Sequence, residues 1–145
     1  MELNDDQLAV ILQATRDFAK EMLEELGLFT PFGARALASG EIEFFAPAPK
    51  QENTPIGDLF REVEAALVES ARNGEIIAAV IAANVMVPDD IETPFRNAIG
   101  LHIEARGHCR FVYATYAISR VAGGKSSVEL GKMIPVEVAP SIFVH

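Results

Sequence analysis

Leu8, Ile11, Leu12, Thr15, Phe18, Met22, Leu23 and Leu26 follow one another at three- and four-residue steps. A stripe with that spacing predicts an amphipathic helix whose other, charged face is solvated. Asn4 or Asp5 can cap its start, Asp6 suits the positive end of the helix dipole, and Gly27 stops it. Thr30-Pro31-Phe32-Gly33 is a tight connection, and the pattern then predicts a short hairpin, Ala34–Ala38 and Glu41–Ala46, turning at Ser39-Gly40. Pro47–Asn53 reads as a polar loop. A second helix follows, capped by Thr54 with Pro55 at its first position, where a missing N–H costs nothing. Ile56, Leu59, Phe60, Val63, Leu67 and Ala71 form its apolar stripe, and Asn73-Gly74 ends it.

From Glu75 to Val87 the pattern changes. Ile77, Ala79, Ile81, Ala83 and Val85 alternate with Ile76, Ala78, Val80, Ala82 and Met86, so both faces are apolar apart from Asn84. Such a segment is expected to be a central strand covered on both sides. Val87–Pro94 is a loop. Ile99–Tyr113 then reads as two strands joined near Arg106-Gly107, the second running on to Ile118. Ala122–Ser127 is a further turn. Met133–His145 carries Pro135 and Pro140, which cannot donate to a ladder, so it reads as an edge strand or two short extended pieces.

The order is therefore α-β-β-α-β-β-β-β. Sequential hairpins predict one α+β domain over residues 1–145, with an antiparallel sheet of about five or six strands and two amphipathic helices on one face. In element order the chain resembles the roadblock and profilin-like folds, which run helix, hairpin, helix, meander. The segments Pro31-Phe-Gly33, Gly40–Phe45 and the later Ile-Ala-Ala-Val-Ile and His-Ile-Glu runs resemble uncharacterised small bacterial proteins of unknown function. Neither resemblance implies a chemistry.

With 145 residues, half of them hydrophobic, the chain can bury a core without staples. One cysteine, Cys109, excludes an internal disulfide, and with an acidic N-terminus in place of a signal peptide it points to the cytoplasm. The longest apolar run, Ile76–Ala83, has eight residues, too few to span a bilayer. The net charge of −9 argues against nucleic acid or an anionic membrane as partner. It is unevenly spread: residues 1–100 hold 18 acids against 7 bases, while residues 101–145 hold 3 acids against 5 bases. Arg106, Arg110 and Arg120 are accordingly the candidate contacts for a small anionic ligand.

The densest chemistry lies in the hairpin at Arg106-Gly107, and its register decides which side chains meet. A two-residue loop pairs Glu104 with Cys109 and puts His102 and His108 on opposite faces. A three-residue loop, Ala105-Arg106-Gly107, sets Glu104 against His108 and His102 against Arg110. The second choice collects Ile99, Leu101, Ile103, Cys109, Phe111 and Tyr113 on one face. Burial of an apolar face normally fixes register, so the three-residue loop is expected. Opposed residues then lie roughly 5 Å apart and same-strand neighbours roughly 7 Å, within reach of one metal ion held by His102, Glu104 and His108. The simpler reading is a polar cross-strand cluster, with Cys109 a core residue. Gly124-Lys125-Ser126 resembles the end of a phosphate-binding loop, but Ser119 stands where the first glycine is required.

Ala98, Val112, Ala114 and Ile118 extend an apolar strip that two helices on one face would leave open, unless the C-terminal segment folds across it. Such a strip marks a contact surface. The expected function is a small cytoplasmic protein-interaction or accessory domain that self-associates as a homodimer or meets another protein, with no cofactor. Anionic-ligand binding or sensing is the alternative, and a metal-dependent enzyme using His102, Glu104 and His108 the third.

Overall fold

The computed structural model describes residues 5–47, 54–120 and 123–144. Asn4 and most of the Pro47–Asn53 loop, as well as Ala122 and His145, lie outside them. Eight elements follow in the expected order: α1 (Asp5–Leu26), β1 (Phe32–Leu37), β2 (Ile42–Phe45), α2 (Ile56–Arg72), β3 (Ile76–Met86), β4 (Asn97–Ala105), β5 (His108–Arg120) and β6 (Ser126–Val136). The strands form one antiparallel sheet in the order β2-β1-β3-β4-β5-β6. This is an α+β fold.

β3 sits inside the sheet, between β1 and β4, and its two apolar faces have different covers. Leu8, Ile11, Ala19 and Leu23 of α1 pack on Ala78, Val80 and Ala82, together with Ile99, Leu101, Ile103, Val112 and Ala114 of the next two strands. Val63, Leu67 and Ala71 of α2 pack on Ile76, Ala79 and Ile81. The helices thus divide between the faces rather than sharing one. The physical reason is β3 itself: eight successive apolar residues leave no solvent side, so each face needs its own layer. Alanines at 78, 79, 82 and 83 are poor strand formers, but they let both helices approach the sheet closely.

Aromatic contacts fix α1 to the first hairpin. Phe18 stacks on Phe44 with ring centroids 4.6 Å apart and meets Phe32 edge-on at 5.2 Å. α2 begins at Ile56, with Pro55 and not Thr54 in the N-cap position. On the α2 side, Arg35 donates to Ser70 Oγ at 3.1 Å and lies 4.3 Å over the Phe45 ring, tying helix to hairpin.

α2 lies mainly against β1 and β3, away from this face of β4. The chain's last described residues close it. Beyond Val136 no regular structure continues, Glu137 to Pro140 are exposed, and Ile142 is fully buried within the α2-side core. No helix among the described residues is long and apolar enough to cross a membrane.

Candidate functional site

The β4–β5 turn has two residues, Arg106 and Gly107. Ala105 pairs with His108, Glu104 with Cys109, His102 with Phe111 and Ile103 with Arg110. Gly107 has φ 73°, at the second central position of the turn, where a type II turn requires glycine. The three-residue loop expected from the apolar pattern is therefore not formed. A one-residue slip exchanges every side chain between faces. His102, Glu104 and Cys109 now share one face, while His108 and Arg110 lie on the other, so the trio His102, Glu104 and His108 does not converge.

What stands instead is a buried carboxylate gripped by the C-terminal segment. Glu104 is fully buried. Its Oε1 accepts the Ser141 amide at 2.8 Å, and its Oε2 accepts the amides of Ile142 at 2.8 Å and Phe143 at 2.5 Å. His102 Nε2 lies 2.8 Å from Oε1. An ionised carboxylate can only accept, so His102 carries its proton on Nε2. Cys109 Sγ lies 3.7 Å from Oε1 and 3.8 Å from His102 Nε2.

Electrostatics follow from these contacts. Burial pushes the Glu104 carboxyl upward, but the amides of Phe143, Ser141 and Ile142 and the His102 ring outweigh it and hold the carboxyl below its ordinary value. Burial and the neighbouring Glu104 charge push the Cys109 thiol up to about 11, against a smaller opposing pull from Arg110. Cys109 is thus a thiol at neutral pH. It is half-buried beside His102, not sealed in an apolar core. A nucleophile–base–acid relay would need His102 to use both ring nitrogens, yet Cys109 and Glu104 meet the same one.

The remaining sequence candidates scatter. Arg106 and Arg110 are exposed near the turn, Arg110 donating to the Cys109 carbonyl at 2.8 Å. Arg120 ends β5, ten residues beyond Arg110 and about 33 Å along an extended strand. The three arginines do not form one anion site. A crevice of about 600 Å³ does open beside the turn, lined by Arg106, Gly107 and His108 and facing Asp5, Ile77 and Phe143.

The strip Ala98, Val112, Ala114 and Ile118 is not a free surface. Ala98, Val112 and Ala114 are buried and Ile118 half-buried. Val112, Ala114 and Ile118 pack beneath α1. Ala98, two residues from Gly100 along β4, points to the opposite face. The same register slip explains the misplacement. Gly123 and Gly124 are followed by β6 and not by a helix, unlike a phosphate-binding loop.

Sequence reasoning missed residues 141–143 as partners of Glu104. The only signal was the apolar group Ile142-Phe143-Val144 beyond Pro140, set apart from β6. No protein-family model, no curated protein and no solved structure matches the chain.

Proposed function

We propose that this chain is a small cytoplasmic protein-interaction domain that self-associates, each copy seating its C-terminal segment in the slot of the other. One observation carries the reading: a fully buried glutamate accepts three successive backbone amides from a segment that belongs to no helix or strand. A buried carboxylate that accepts consecutive main-chain amides holds the segment by its backbone, through charge-assisted hydrogen bonds. The four exposed residues Glu137 to Pro140 are a ready hinge, and exchanging an identical element between copies needs no new contact.

The sheet edge is a weaker route to a dimer. β6 carries a bulge opposite Thr115, along with Lys132 and Pro135, the devices that blunt edge strands. The strip beneath α1 is already occupied.

Mass in solution tests the proposal. The full chain should run near twice 15.7 kDa, and inserting six Gly/Ser residues after Glu137 should favour the segment's return to its own slot and yield monomer. A monomer at every concentration, or a dimer indifferent to the insertion, overturns the proposal.

The crevice at Arg106 and His108 favours a second reading, binding of a small anion beside the turn. A stabilising thermal shift with a phosphate or carboxylate metabolite, lost in Arg106→Ala, would support it. No shift across a broad panel would refute it.

A further inference from the structure

Three donor atoms of different chemistry lie close together on the tail side of the β4–β5 hairpin: an imidazole nitrogen, a carboxylate oxygen and a sulfur, all within 4.8 Å of one another. Two come from β4 and one from β5, directly opposed in register, so the rigid pairing of two sheet strands sets their spacing. We propose that His102 Nε2, Glu104 Oε1 and Cys109 Sγ form a three-ligand site for a divalent cation of the zinc class.

Distances favour it. Tetrahedral zinc with ordinary bond lengths sets its ligand atoms about 3.4 Å apart for nitrogen and oxygen, and about 3.6 Å for either with sulfur. The observed separations are 2.8, 3.7 and 3.8 Å. Opening the His102–Glu104 pair by roughly 0.6 Å therefore completes one face of a tetrahedron. The ligand set excludes calcium and magnesium, which take oxygen, and matches zinc or cobalt.

Glu104 can take the ion without releasing the tail. Oε1 has two lone-pair directions, one used by the Ser141 amide. The other is shared by the His102 N–H and the Cys109 S–H, and a cation takes their place. The imidazole proton moves from Nε2 to Nδ1, and the thiol proton leaves to solvent, so each ion bound releases one proton. The bound charge also relieves the repulsion between thiolate and carboxylate. Arg110, which would oppose a cation, rises from the other face, and half-buried Cys109 leaves the fourth position to water.

The site does not depend on tail exchange between copies. It is tested on the metal-free full chain, kept reduced and titrated with cobalt(II). Wild type should take one equivalent, with a thiolate-to-cobalt charge-transfer band in the near ultraviolet, and zinc should displace it. Cys109→Ser should lose the band, Cys109→Ser and His102→Gln should each weaken binding at least about ten-fold, and His108→Gln should change nothing. No band in wild type, or a band that survives Cys109→Ser, overturns the proposal. Should His102→Gln fail to fold, proton release decides: about one proton per zinc at neutral pH is expected, and none contradicts it.

Discussion

Glu104 Oε2 accepts the amide of Ile142 at 2.8 Å, joining the C-terminal end of β4 to a residue 38 positions later. The charge and the apolar side chain are buried by the same contact. Ile142 fills the α2-side core only when its backbone reaches the carboxylate, and the carboxylate is tolerated in the interior only because three amides and an imidazole surround it.

Glu104→Gln should therefore be costly. A neutral amide presents one acceptor oxygen and an NH2 group to three amide donors, leaving buried N–H groups unmatched. A loss of about 3 kcal/mol is expected, read as a shift in the urea midpoint. Ile142→Ala should cost about 2–4 kcal/mol by the cavity it leaves. In both variants, hydrogen exchange should quicken at Ser141–Phe143 before it changes in β3.

Acid should release the same contact. The folded protein holds the Glu104 carboxyl below its ordinary value, so its stabilising effect is complete above the free carboxylate range, near 4.3. It is lost progressively as pH falls from there through the lower native value. Stability curves of wild type and Glu104→Gln should converge as pH drops through that window. Parallel curves would show that the charge on Glu104 contributes nothing.

Cys109 should be slow to react. With its thiol pushed up to about 11, roughly one molecule in a thousand is thiolate at pH 8, and a disulfide reagent should modify the native, metal-free chain about two orders of magnitude more slowly than the denatured one. Equal rates would place the thiol in a different setting.

Much of the fold was legible in the sequence; the division of the helices between two faces was not, and the failures at the candidate site share one cause. α1 ends at Leu26 before Gly27 as its stripe indicated, and β3 proved doubly covered as its continuous apolar run required. The hairpin register went wrong because His102, Glu104 and Cys109 were sorted by polarity, on the premise that a polar face is solvated. Here the polar face is buried too. Its charge is satisfied by main-chain amides from residues 141–143, and hydropathy does not record backbone donors. From that slip followed the misplacing of His108 among the ligands and of Val112, Ala114 and Ile118 on an open surface.

Salt should favour association. Each copy carries a net charge of −9, so two copies repel at low ionic strength. The dimer population should rise between about 20 and 200 mM salt, where the Debye length falls from tens of ångströms to below ten. A fall would indicate an interface built on opposite charges.

The most direct measurement is isotope-filtered NMR on a one-to-one mixture of labelled and unlabelled chains, refolded together. Tail exchange predicts contacts between the Ile142 methyls of one copy and the Val63 and Ile81 methyls of the other. A monomer, or a dimer in which Ile142 meets Val63 and Ile81 of its own chain alone, contradicts it.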